Sequence, residues 1–71
     1  PVKNQINIKG FSSGVTDFIL LDSLGKKLKK ITLSIEGEFS KNIDLSYLQD
    51  GVYMIKIITN TEEIIKKVVK I

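Results

Sequence analysis

The sequence contains no cysteine, histidine, arginine, tryptophan or alanine, and its one proline is Pro1. Without cysteine and histidine there are no disulfide staples, no zinc site of the common types, no thiol nucleophile and no imidazole base. No cofactor is expected. The missing cysteine suits any redox compartment, so it does not place the chain. Without arginine the planar fork that reads phosphates and base edges in two-point contacts is missing. The 11 basic residues, all lysine, outnumber the 8 acidic ones, for a net charge of +3. That excess reads as a solvated lysine-rich surface and not as a nucleic-acid module. No apolar run approaches the roughly 18 residues a membrane span needs, so no membrane insertion is expected. The opening Pro1-Val2-Lys3-Asn4 lacks the charged and apolar segments of a secretory signal. The chain reads as cut from something longer, with any export signal expected elsewhere.

What is present points to strands. The 71 residues allow one domain, 1–71. A domain of this size buries only about 60% of its unfolded surface, and a stability of about 4–10 kcal/mol follows from the usual per-residue range. Hydrophobic residues make up 42%, enough for a core, and the bias to isoleucine, valine, leucine and threonine favours β structure. Gln5-Ile6-Asn7-Ile8-Lys9 alternates polar and apolar, the period of a half-buried strand. Gly10 and Ser12-Ser13-Gly14 end it. Thr16 to Leu21 is a β-prone run, apolar on both faces in its second half. Asp22-Ser23-Leu24-Gly25 is a turn, in which the aspartate caps its own backbone and the glycine takes the positive φ that closes the hairpin. Lys27 to Leu33 returns as a strand with lysines on its wet face.

Glu36-Gly37-Glu38 is read as the next turn, and Glu38 to Leu45 as a strand with Phe39, Ile43 and Leu45 on one side, where Lys41 interrupts them. Asp44-Leu45-Ser46-Tyr47-Leu48 is a turn-like or helical crossover, since Asp44 and Ser46 both suit the start of a helical turn. Asp50-Gly51 turns into the strongest strand, Gly51 to Thr59. There Tyr53, Ile55 and Ile57 form the core face, because the other face carries Lys56. Thr61 to Ile71 is ambiguous. Ile64, Ile65, Val68 and Val69 recur at helical spacing, with Glu62/Lys66 and Glu63/Lys67 as i,i+4 pairs. Its β-branched residues and its two-residue link to a strong strand favour a hairpin. As an edge strand its Lys66, Lys67 and Lys70 discourage stray pairing. Six strands with short, regular turns make an antiparallel β-sandwich.

No constellation of catalytic type stands out. All eight acids lie near predicted turns or strand ends, where solvation is the expected fate, whereas a paired-carboxylate site needs one acid raised by burial. Asp17, Asp22 and Asp44 lack the spacing of a calcium loop, and Gly10 and Gly14 lack the lysine and hydroxyl of a phosphate cradle. Tyr53, at the entry to a core strand, is placed to fold its hydroxyl back onto upstream backbone, as in the tyrosine corner of Greek-key sandwiches. Tyr47 reads as an exposed rim residue.

Three ordered segments carry a family likeness. They are Phe18-x-Leu20-Leu21-Asp22-x-x-Gly25-x-x-Leu28, then Asp44-Leu45-Ser46-x-Leu48-x-x-Gly51-Val52-Tyr53-x-Ile55-Lys56-Ile57, then Lys66-Lys67-Val68-Val69-Lys70. Together they resemble the type A C-terminal sorting domain of the type IX secretion system across essentially the whole chain. Pro1 would be the second proline of the Pro-Asn-Pro that commonly opens such domains, and Leu21 stands where the family often has tyrosine. The resemblance implies an immunoglobulin-like sandwich of seven strands, one more than counted, the extra one falling near Phe11 to Val15 or around Leu33. It implies a non-catalytic tag that follows an N-terminal cargo domain. The tag passes through the periplasm and is recognised by an outer-membrane translocon and its shuttle protein. A sortase-like peptidase then removes it, leaving the cargo on the cell surface or outside the cell. The motif positions Asp22, Gly25, Asp44, Leu45, Ser46, Leu48, Gly51, Val52 and Tyr53 read mainly as architecture. Recognition is assigned to the last strand, Lys66, Lys67, Val68, Val69, Lys70 and Ile71, by edge pairing.

Two other readings compete. An accessory carbohydrate- or protein-binding module of a secreted hydrolase or adhesin would show an exposed aromatic platform. A structural spacer would leave export insensitive to its removal. An enzyme is the most distant reading.

Overall fold

Alternating apolar residues carry the first half of the chain through two strands far longer than their sequence punctuation suggests. The computed structural model describes residues 4–71, so the reading of Pro1 lies outside the described residues. Strand β1 runs Gln5–Asp22, β2 Lys27–Asp44, β3 Gly51–Ile58 and β4 Glu63–Lys70. They form one antiparallel sheet in the order β2-β1-β3-β4. The all-β expectation therefore holds. In place of the expected six- to seven-stranded immunoglobulin-like sandwich, however, the described residues form a single sheet of four strands.

The difference arises at two glycines. A straight strand of 18 residues would be about 60 Å long, yet the longest dimension of the molecule is 33 Å. The β1–β2 hairpin must bend, and Ser12 and Thr16 mark where. Four residues apart in a straight strand they would be about 13 Å distant; here their hydroxyl oxygens are 2.6 Å apart and buried. Between them Gly14 has φ of 107°, and on β2 Gly37 has φ of 105°. Gly37 pairs with Ser12, and Gly14 with Ile35, so both strands turn at one corner and their ladder continues through it. The segments read as turns, Ser12-Ser13-Gly14 and Glu36-Gly37-Glu38, are this corner. The Ser13 hydroxyl donates to Glu36 Oε2 across it at 3.2 Å.

Beyond the corner the hairpin folds back over the rest of the sheet. Phe18 pairs with Ile31 and Phe39 with Gly10, eight rungs away along the ladder, or about 26 Å on a flat sheet. Their rings nevertheless meet edge to face at 5.5 Å and 77°. The space between the layers is filled by Ile8 and Ile43 from one layer and by Phe18, Leu20, Tyr53, Ile55, Ile57 and Val68 from the other, with Leu45 fully buried at the exit of β2. Gly10 is needed for close approach, since a Cβ there would lie 2.9 Å from Phe39 Cζ.

The last segment is a strand. Thr59 Oγ1 accepts the amides of Thr61 and Glu62 at 3.2 and 3.0 Å, closing the turn locally. Glu63, at helical spacing from Lys67 in sequence, instead meets Lys56 across the ladder at 2.7 Å.

Candidate recognition surface

The crossover 45–50 joins β2 to β3 and is held by side chains from both of its neighbours. Asp44 Oδ1 accepts the Ser46 amide at 3.0 Å. Hydrogen bonding from the Ser46 side chain, then from its backbone, holds the Asp44 carboxyl below its ordinary 3.8, with a smaller contribution from the charge of Lys29. The Leu48 amide donates to Leu45 O at 3.1 Å, so the segment is a turn and not a helix. From β3 the Tyr53 hydroxyl donates back to Gln49 O at 2.6 Å. From β4 the Lys70 ammonium donates to Leu48 O at 2.8 Å and lies 3.8 Å from Asp50 Oδ1. At the far end of β1, Asp22 Oδ1 accepts the amides of Leu24 and Lys26 at 2.9 and 2.8 Å, and Gly25 takes φ of 86°. Of the nine motif residues, Gly51 opens β3 opposite Lys70, Leu48 packs on the core, and Val52 is exposed on the outer face.

The six positions assigned to recognition divide in two. Val68 and Lys70 face inward, 3% and 8% exposed. Lys66, Lys67, Val69 and Ile71 are exposed. Lys66 lines a groove of about 270 Å³ together with Ile8, Lys9, Phe39 and Ile64. Lys67 and Val69 lie on the outer face, opposite Met54 and Val52. β4 has a partner on one side only, so it is an edge strand.

The exposed aromatics are Phe11 and Tyr47. Phe11 is six ladder rungs from Gln5, which pairs with Asp44 next to the crossover that carries Tyr47; that is about 20 Å of strand. Among the described residues no group of three or more His, Cys, Asp or Glu could hold a metal ion, and every buried side-chain nitrogen or oxygen has a partner. No helix among them is long and apolar enough to cross a membrane.

The family model for the secretion system C-terminal sorting domain matches residues 1–71. The chain belongs to this family. No curated protein and no solved structure matches it significantly. The sorting domain is thus a type IX secretion signal of a non-catalytic family, which implies interaction with that machinery and delivery to the cell surface or the extracellular space. In this sorting domain the aspartates, glycines and tyrosine of the matching segments make hydrogen bonds and turns within the chain. On the outer face of β1, β3 and β4 stand apolar side chains, Lys56 and Lys67, and the acids Asp17 and Glu63. Of that face, Ile19, Leu21, Met54 and Ile65 carry no role in the sequence pattern alone; for Ile19 and Leu21 the signal is the run Thr16–Leu21, apolar on both faces in its second half.

Proposed function

We propose that the chain carries an attached cargo protein from the periplasm across the bacterial outer membrane as a folded, non-catalytic tag. A shuttle protein and the translocon recognise it, and a sortase-like peptidase then removes it. The observation that carries this reading is the family match over the full 71 residues. The fold is compatible with a tag that travels folded, since its core is closed between the two layers and lysines stand along its edge strands.

Recognition through β4 is part of the proposal, by edge pairing and contacts to Lys66, Lys67, Val69 and Ile71. Val68 and Lys70 serve it indirectly, by holding β4 and the crossover in place. Deleting Lys66–Ile71 therefore removes a core side chain and an internal hydrogen bond along with any contact surface. The discriminating test is a reporter fused to the chain in a bacterium with the type IX machinery. Export is expected to need the tag and to fall on Lys66→Glu/Lys67→Glu substitution while thermal unfolding stays unchanged. Export of the untagged reporter at the tagged level would overturn the sorting role, and full export of the folded double variant would overturn recognition through β4.

A further inference from the structure

Directly paired residues of neighbouring strands share a face, so the outer surface of the four-stranded half can be read row by row. The first row is Lys27, Leu21, Met54, Lys67 and the second is Lys30, Ile19, Lys56, Ile65. The third is Thr32, Asp17, Ile58, Glu63, and Val52 beside Val69 extends the surface past the first row. All these residues are exposed or half-buried. The surface is therefore a band of leucine, isoleucine, valine and methionine on the side of the sheet that faces away from the core, with Lys27, Lys30 and Lys67 on its edge strands and Lys56 between Ile19 and Ile65. Bands of this kind mark interaction sites.

The charges decide the kind of partner. Both acids of the surface are already engaged: Asp17 accepts the Thr32 hydroxyl at 2.7 Å and lies 3.9 Å from Lys30, and Glu63 lies 2.7 Å from Lys56. Among the described residues Lys27 and Lys67, at the two ends of the first row, have no acidic partner. They stand on opposite edge strands, three interstrand spacings or about 14 Å apart at the backbone.

We propose that this outer face docks an acidic amphipathic segment of a partner protein. Its apolar side chains seat on Leu21, Met54, Val52 and Val69, and its carboxylates, on either side of that anchor, reach Lys27 and Lys67. The inference rests on the sorting reading and widens its contact surface from β4 to three strands and Lys27 of β2. A second copy of the chain would bring lysines against lysines. A lipid surface is disfavoured because the face carries no tryptophan or tyrosine, the residues that anchor at membrane interfaces. Methionine at the centre suits a surface that adapts to its partner. Lysine–carboxylate pairs at the margins give orientation and rate of encounter more than affinity.

The test uses the same exported reporter. Lys27→Glu/Lys67→Glu and Met54→Glu are each expected to lower export by at least about tenfold, the effect of one decade in affinity. Lys41→Glu, outside this face and outside the groove at Lys66, should leave it within about twofold. Thermal unfolding of each variant establishes folding, and the exposed lysine pair keeps the test valid if Met54→Glu misfolds. Folded outer-face variants exported like the unaltered tag would overturn the docking surface and leave the sorting role standing. An unaltered tag that fails to export would overturn both. A photocrosslinker at Ile65 reads the partner directly: attachment to an acidic protein segment supports the proposal, while attachment to lipid, a second copy or a basic segment, or none at all, overturns it.

Discussion

Lys70 carries a charge yet is almost fully covered, with its ammonium on the Leu48 carbonyl. A hydrogen bond from a charged donor contributes about 1.5–3 kcal/mol, a large share of the stability of a domain this size. Lys70→Met keeps the aliphatic stem and removes the donor, so chemical denaturation should show a loss of about 1.5–3 kcal/mol. Asp50 is solvent-exposed and 3.8 Å away, so Asp50→Asn should change stability by less than about 1 kcal/mol. Tyr53→Phe removes the bond to Gln49 O and should cost about 0.5–1.5 kcal/mol in the same measurement. Asp44 adds a dependence on pH. Its folded-state value lies below 3.8, so its contribution is fully present above that pH and is lost as pH falls through the folded-state value. Thermal unfolding between about pH 5 and 2 should show a shallower acid decline for Asp44→Asn than for the unaltered chain.

The corner of the β1–β2 hairpin is a property of two strands acting together. Gly14 and Gly37 hold positive φ, and neither would meet a close obstacle through an added Cβ. Alanine at either position thus tests conformation alone, at an expected cost of about 1–3 kcal/mol. Gly10→Ala tests something else: the methyl would press on the Phe39 ring and disturb its edge contact with Phe18. A loss of about 1–3 kcal/mol is expected from overpacking. It should be relieved in a double-mutant cycle by Phe39→Leu, whereas the cost at Gly14 should not. The strand character of β4 follows from its setting. Its side-chain spacing suits a helix, but a helix there would strand Val68 and Lys70 away from Tyr53 and Leu48, with which they pack or bond.

On the scale of the molecule, the two layers share one core. Ile8 comes from the folded-over half and Ile55 from the four-stranded half, and both are buried in the same cluster. Ile8→Ala and Ile55→Ala should each cost about 2–5 kcal/mol. Each should shift a single cooperative transition, seen alike by backbone and aromatic circular dichroism. Two separate transitions would mean that the corner lets the layers unfold independently. The charge is arranged at this scale too. Pairing gathers four lysines and two engaged acids onto one outer face, an excess the overall composition only hints at.

Nearest-neighbour chemistry made much of this protein legible. The all-β class follows from its β-branched composition, the core face of β3 from the position of Lys56, and the Asp22–Gly25 turn from its residue types. The hydroxyl bond of Tyr53 follows from its place two residues into a core strand. Each depends on residues within a few positions of one another. Ser12-Ser13-Gly14 and Glu36-Gly37-Glu38 look locally like two turns, and only their alignment across the ladder makes them one corner and the six segments four strands. Lys70 looks like Lys66 and Lys67 in sequence, yet the carbonyl that draws it inward is supplied by the crossover, 22 residues earlier. The outer face is likewise a composite of three strands and an edge lysine. Such features depend on register and on packing between distant segments, which pattern along the chain does not encode one residue at a time.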